Sequence, residues 1–245
     1  MIIEANDGHS RRELRAGNAA GMRTLMKYYP ISLDLRGRAA LVVGGGEAAE
    51  EHAKQLLAAG ARVMVVNPGL NDGLGDMTAF RLVEFQCRAF EARDLTGISL
   101  VICATDDQTV TETVARAAAA HGVLCHVVDQ RELCSFQTPA VIARGDLLIT
   151  VTCQGAGSPL AQRVRREIDE LIGPEYENLQ TLSVQLLAEA QQRLPYASTR
   201  CQVLRNFIES EALELLRQGR AEEAMKLAQS MLAAAEPRAV ALKFA

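Results

Sequence analysis

Short apolar runs alternate with amphipathic stretches along the chain from residue 28 onward. Apolar runs that end at glycine, proline or polar residues predict strands. These runs are Ala39–Val43, Arg62–Val66, Arg81–Gln86, Leu100–Ala104 and Leu124–Val128. Between them, residues 47–59 and 108–120 carry apolar side chains at helical spacing, which predicts helices. Because strands alternate with helices and are apolar throughout, we predict a doubly wound α/β domain whose parallel sheet is covered on both faces.

The pattern changes after Pro139. Two β-rich runs, Ala140–Ala143 and Leu147–Thr152, flank an Arg-Gly-Asp turn and predict a β-hairpin. Ser158-Pro159 combines a hydroxyl N-cap with proline at the first helical position, which predicts a helix that ends near Ile172. The rest of the chain has helical spacing throughout. The predicted parts are a loose N-terminal extension, the α/β domain, the hairpin with its helix, and an all-helical domain, at 1–27, 28–139, 140–173 and 174–245.

The amino-acid composition of the chain argues against some classes of binding partner. The 245 residues are 49% hydrophobic and 23% charged, which is ordinary for a globular protein. A net charge of −4 and 4% aromatic residues argue against a nucleic-acid partner. No apolar run reaches the roughly 18 residues that span a bilayer, and the stretch Met1–Arg23 does not resemble a secretory signal. We therefore expect no membrane partner and a cytoplasmic location.

A glycine-rich loop follows the first predicted strand. Gly44, Gly46 and Ala49 fit the pattern G-x-G-x-x-A, which needs a tight turn, a close backbone approach to a pyrophosphate and tight helix packing. The alternative is a plain strand-to-helix turn. The loop opens a helix in the first βα unit, which favours a Rossmann-type dinucleotide site. The predicted cofactor-binding residues of this loop are Gly44, Gly45, Gly46, Glu47 and Ala48.

The residues at the end of the second predicted strand help to distinguish NAD from NADP as the cofactor. Asn67, followed by Pro68, stands where an acidic residue usually holds the ribose. An amide can still bond a ribose hydroxyl, and no Arg or Lys follows at once to hold a 2′-phosphate. Asn67 and Pro68 are therefore predicted cofactor contacts, and NAD is favoured over NADP.

Polar residues also follow two later strands, where open α/β sheets bind ligands. Thr105 and Asp106 are predicted to line the cofactor site, although Asp106 or Asp107 would also cap the next helix. Asp129 follows the last strand and can take a proton or meet a metal, or simply begin a loop. His126 is either a ligand contact or a half-buried histidine with satisfied nitrogens. From spacing alone these alternatives stay open.

Several motifs together resemble those of one family. They are Tyr29-Pro30-Ile31, the glycine loop, Ala104–Asp107, Val127–Asp129, Ser135–Ala140, Arg144–Leu147 and Gly157–Pro159. In this order they are similar to the NAD-dependent precorrin-2 dehydrogenase family, which includes stand-alone enzymes and the N-terminal half of siroheme synthase.

The resemblance implies a homodimer in which residues 140–173 form the dimerisation segment. It implies oxidation of the tetrapyrrole precorrin-2 to sirohydrochlorin with NAD, and in some members insertion of ferrous iron. Asp129 would be the general base and would assist the metal. His126 and Ser158 would bind substrate. Near the start of the Ser158 helix, Arg163, Arg165 and Arg166 could meet the carboxylates of the substrate, so Arg163 is also a predicted substrate contact. For at least one of these arginines a solvated helix face is the better interpretation. The chain departs from the family at His126, at Glu50-Glu51-His52, and in a longer loop from Cys153 to Ser158.

Two other classes remain as alternatives. An NAD-sensing Rossmann module could regulate a helical interaction domain without catalysis, but it would not need the hairpin or Asp129. A different small-molecule dehydrogenase is also conceivable, although no Tyr-x-x-x-Lys set is evident.

Overall fold

A five-stranded parallel sheet forms the centre of the computed structural model, which describes residues 28–153 and 158–236 except for the side chain of Ser158. The strands are β1 Ala39–Val43, β2 Arg62–Val66, β3 Val83–Gln86, β4 Ile98–Cys103 and β5 Leu124–Val127. Their order is β3-β2-β1-β4-β5, with every pair parallel. The chain reverses direction across the sheet between β1 and β4, which is where doubly wound sheets bind ligands. The predicted Rossmann-type fold is confirmed.

Helices cover both faces of this sheet. They are α1 Glu47–Ala58, α2 Asp72–Ala79 and α3 Gln108–His121. Ala49 and Ala53 of α1 are fully buried, and their small side chains let the helix lie close to β1. Val114 and Ala118 of α3 are equally buried in a second cluster on the other face. The two clusters explain why the strands are apolar on both sides.

The sequence analysis did not predict α2. This helix has only eight residues and contains two glycines, so its helical signal is weak. Asn71 caps it by accepting a hydrogen bond from the Leu74 N–H at 3.0 Å. The strand predicted to begin at Arg81 begins instead at Val83, because Arg81 has a left-handed φ of 57° and belongs to the turn that ends α2.

The predicted hairpin is present as β6 Ala140–Arg144 and β7 Leu147–Val151, paired antiparallel. It packs on α4, Ser158–Leu171, through both strands. Ile142 is 2% exposed on the inner face of the hairpin. Arg144 fastens the hairpin to the end of α4, because its Nε donates to the Ile172 carbonyl at 2.8 Å and its Nη2 to Asp169 Oδ1 at 2.6 Å.

Four helices follow, α5 Glu175–Arg193, α6 Ala197–Ile208, α7 Ala212–Arg217 and α8 Ala221–Ala235. They surround their own apolar core, in which Phe207 and Leu232 are fully buried. The described residues from Ser32 onward form one compact unit, in which α5 contacts β7. The predicted helical region is thus confirmed over these helices.

Some predictions fall outside the described residues. They concern the extension 1–27, the loop 154–157, the side chain of Ser158 and residues 237–245. Among the helices that the structure describes, none is both long and apolar enough to cross a membrane.

Candidate functional site

The three glycines after β1 have different surroundings. Gly44 has a φ of 138°, and a Cβ added there would lie 2.0 Å from the carbonyl oxygen of Ala104. A Cβ on Gly45 would lie 2.0 Å from the carbonyl oxygen of Gly69. Nothing lies within 4 Å of a Cβ added to Gly46. Gly44 and Gly45 are therefore required by the fold, whereas Gly46 leaves space open at the protein surface.

The N-terminus of α1 borders this open space. No side chain caps the helix at Gly46, and Gly46, Glu47 and Ala48 are exposed. The first N–H groups of a helix have no partner within the helix, and the helix dipole favours a negative group beside them. The residues present therefore fit the phosphates of a dinucleotide.

The end of β2 lies beside the loop. The side-chain Nδ2 of Asn67 donates to the Gly69 carbonyl at 2.6 Å, which leaves Oδ1 to accept a hydrogen bond from a ligand. Pro68 is exposed next to it, and its carbonyl accepts a hydrogen bond from Cys87. Arg88, which follows β3, binds both carboxylate oxygens of Asp94 at 2.8 and 2.6 Å. That pairing lowers the pKa of Asp94 and occupies the guanidinium.

The polar residues after β4 have different structural roles. Asp107 caps α3 by accepting hydrogen bonds from the N–H groups of Thr109 and Val110 at 2.9 and 3.2 Å. The Thr105 hydroxyl accepts a hydrogen bond from the Asp107 N–H at 3.3 Å. Asp106 is exposed and takes no part in the cap. Of the two capping candidates, Asp107 therefore fills that role.

A cleft of about 290 Å³ opens beyond the carboxyl end of β5. Its walls come from α1, the end of β5, the segment before β6, the end of β7 and the start of α4. The lining residues are Glu51, His52, Gln55, His126, Val127, Val128, Asp129, Arg131, Gln137, Thr138, Pro139, Ala140, Val151, Thr152, Cys153, Ala161 and Gln162. The α/β domain forms one side of the cleft, and the hairpin with its helix forms the other.

Backbone hydrogen bonds on either side of Asp129 fix its position just after the carboxyl end of β5. The Val128 N–H still bonds to the Cys103 carbonyl, and the Gln130 N–H then turns back to the Val127 carbonyl. Asp129 itself has a φ of 62°, a left-handed conformation that Asp, Asn and Gly tolerate best. Its exposed carboxylate lines the cleft at the edge where the strands end.

The nitrogens of His126 are both occupied. Nδ1 lies 3.4 Å from the Phe136 carbonyl and donates to it, and Nε2 lies 3.4 Å from the Thr138 hydroxyl, from which it accepts. The ring also meets the rings of Phe136 and His52, each with centroids 5.6 Å apart. Burial, and next the neighbouring His52, lower the pKa of His126. His126 therefore holds the segment before β6 in place as a neutral side chain.

Of the remaining predicted substrate contacts, Arg163 lies outside the cleft. Its side chain is 73% exposed and pairs with Glu167 at 2.9 Å. Ser158 begins α4, and its side chain lies outside the described residues. The cleft instead contains Arg131, Gln137 and His52, none of which was predicted as a substrate contact. Only the Ser-Phe-x-x-Pro motif around Gln137 could have drawn attention to that segment.

A larger depression of about 580 Å³ lies on the α3 face. It is lined by Gln108, Glu112, Ala115, Arg116, Gln130, Glu132 and Leu133. None of the predicted site residues is among them, so the smaller cleft is the candidate site. Within the described part of the chain, no three His, Cys, Asp or Glu side chains converge to hold a metal ion.

The fold and the glycine loop define a protein of the NAD(P)-binding Rossmann class. A family model described as "Putative NAD(P)-binding" matches residues 31–140, which confirms the predicted kind of cofactor. The chain is 37% identical to the siroheme synthase of Methylococcus capsulatus over 202 residues, which are 82% of this chain and 43% of that protein. It is 34% identical to the siroheme synthase of Stutzerimonas stutzeri over 215 residues, 88% of this chain and 46% of that protein. The resemblance to siroheme synthases indicated by the motifs is confirmed.

The chain spans less than half the length of these relatives. Among solved structures it is similar to "SirC, precorrin-2 dehydrogenase", with a TM-score of 0.71 and 22% identity over 83% of this chain and 100% of that one. At that identity the likeness concerns the fold, and it includes the region beyond the Rossmann domain.

Proposed function

We propose that the chain is a cytoplasmic precorrin-2 dehydrogenase that oxidises precorrin-2 to sirohydrochlorin with NAD. The observation that carries the proposal is the placement of Asp129 beside a cleft at the same carboxyl edge of the sheet as the open N-terminus of α1. The similarity to siroheme synthases supports the choice of substrate. A sensing module would need the glycine loop but not a carboxylate in a cleft.

The reaction removes one hydride and one proton from the substrate. A bound NAD supplies the hydride acceptor, so the products are sirohydrochlorin, NADH and a proton. In this proposal Asp129 takes the proton, since its carboxylate lines the cleft and is not engaged in capping a helix. Gly46, Glu47 and Ala48 position the phosphates through backbone N–H groups.

We infer a preference for NAD over NADP from two side chains. Asn67 has an oxygen left for a ribose hydroxyl, because its amide nitrogen is bound to Gly69. Arg88 is bound to Asp94 through both terminal nitrogens, so it is not available for a 2′-phosphate.

The size of the cleft supports a homodimer. At about 290 Å³ it lies at the lower limit of pockets for drug-sized ligands, about 300 Å³, and an octacarboxylate tetrapyrrole is larger. A second copy could enclose the remainder of the substrate. The outer face of the hairpin is apolar and exposed, with Val141 at 41% and Leu148 at 54%. We propose that residues 140–173 form the dimerisation segment through this face.

Ferrous iron would be a second substrate of the same cleft. Asp129 is the carboxylate that would meet it, while other ligands would come from the tetrapyrrole itself. Insertion of iron is therefore a separate activity that the dehydrogenase does not require.

The test is anaerobic incubation of the full chain with precorrin-2 and NAD, without metal. We expect sirohydrochlorin and NADH to form in equal amounts, and more slowly with NADP. Binding of NAD without turnover would contradict the proposal and favour a sensing module. Addition of ferrous iron after completion tests insertion, which would convert the sirohydrochlorin spectrum to that of siroheme.

A further inference from the structure

Two buried polar atoms have no hydrogen-bond partner among the described residues. They are Nδ1 of His52 and Nε2 of Gln137. Because a buried polar group without a partner costs free energy, such groups are rare in folded proteins. These two come from separate elements, α1 and the segment before β6, yet both line the Asp129 cleft. Their shared location points to a ligand that supplies both partners.

His52 contributes a buried ring nitrogen without a partner in the described part of the chain. Burial is the largest influence on His52, and it lowers the pKa of the ring. Glu51, and next the side chain of Gln55, act to raise the pKa of the ring. A neutral ring has one nitrogen that accepts a hydrogen bond, and we take Nδ1 to be that nitrogen. The edge contact with His126 fixes the ring against β5.

Gln137 presents a hydrogen-bond donor. Its neighbours Phe136 and Thr138 are both bound to His126, so the backbone on either side of Gln137 is fixed. The amide nitrogen of Gln137 is buried at the cleft without a partner. An acceptor on a ligand would satisfy it.

We propose that His52 and Gln137 are substrate contacts, with Gln137 donating to a carboxylate and His52 accepting from an N–H group. The inference rests on the proposed function, because an acidic tetrapyrrole carries both kinds of group. The carboxamide of a nicotinamide also offers an acceptor and an N–H, so the experiment must separate substrate from cofactor.

In the first test the full-chain protein is titrated with sirohydrochlorin, and binding is measured through the change in absorbance of the ligand. We expect Gln137→Leu to weaken binding about tenfold, since the carboxylate loses its donor. Thermal stability should not fall, because an unpaired buried amide is replaced by an apolar group. Gln191→Leu is the control, since Gln191 is exposed on α5 and does not line the cleft, and it should change affinity less than about twofold.

The second test separates the polar role of His52 from its packing. His52→Phe keeps the ring contact with His126, and His52→Asn keeps a polar atom near the position of Nδ1. We expect the Phe variant to weaken sirohydrochlorin binding about fivefold to tenfold and the Asn variant to retain most of it. The reverse order would overturn the proposal, as would unchanged affinity in His52→Phe and Gln137→Leu.

NAD affinity is measured on the same variants. It should be unchanged, and a loss confined to NAD would assign the two atoms to the cofactor and overturn the proposal. If the wild-type protein itself binds no sirohydrochlorin, the proposed function fails. If the wild type binds it and the variants bind equally well, only the inference about His52 and Gln137 fails.

Discussion

Individual residues of the glycine loop serve two different requirements. Gly44 and Gly45 are needed because other parts of the chain occupy the positions of their Cβ atoms. Gly46 faces open space, so its lack of a side chain is explained by a ligand rather than by the fold. This distinction could not be made from the motif, in which all three glycines look alike.

We expect Gly46→Ala to weaken NAD binding at least about tenfold while the melting temperature stays within about 2 °C. The added methyl group meets no protein atom within 4 Å, but it occupies the path of the pyrophosphate. Calorimetric titration and thermal denaturation check the two effects. Gly44→Ala is the contrasting variant and should lose stability, because φ is 138° and its Cβ would collide with Ala104. Wild-type NAD affinity in Gly46→Ala would rule out this role.

Among the elements, the hairpin and α4 act together through Arg144. This side chain is 22% exposed and binds both Asp169 and the Ile172 carbonyl. Arg165 adds a hydrogen bond from α4 to the Val141 carbonyl at 2.9 Å. The hairpin therefore has a fixed orientation on α4, and its outer face is set by these contacts.

We expect Arg144→Met to lower the free energy of unfolding by about 1 to 2 kcal/mol, because it removes charge-assisted bonds to α4. Arg163→Met is matched in chemistry, but its ion pair with Glu167 is highly exposed, so we expect a change below about 0.5 kcal/mol. Urea denaturation of both variants measures the difference. Equal effects would mean that the Arg144 contacts do not fasten the hairpin.

The elements also show how far the sequence could predict the fold. Buried strands such as β1 and β4 carry continuous apolar runs, so their existence was predictable. α2 was missed, because its stability comes from the Asn71 cap and from packing rather than from helix propensity.

At the site, Asp129 was predictable as a residue after a strand. His52 and Gln137 were not, because only tertiary packing brings them to one cleft.

At the scale of the whole molecule, we propose that the protein is a homodimer. We expect Leu148→Glu to convert a dimer into monomers, because the charge would be buried in the proposed interface. Phe80→Glu is the control, since Phe80 is 76% exposed at the end of α2 and is not part of the hairpin, and it should leave the assembly unchanged. Sedimentation velocity distinguishes the states. A wild-type monomer, or a Leu148→Glu dimer, would contradict the proposed interface.

The central claim is that the glycine loop and the Asp129 cleft form one dehydrogenase site. The most direct measurement is the rate of NADH formation from precorrin-2 by Asp129→Asn, compared with the wild type at saturating substrate and NAD. Asn tolerates the left-handed backbone at this position, so the fold and both ligand affinities should be retained. We predict a rate reduced about 100-fold or more. A rate equal to that of the wild type would show that Asp129 is not the base and would contradict the account.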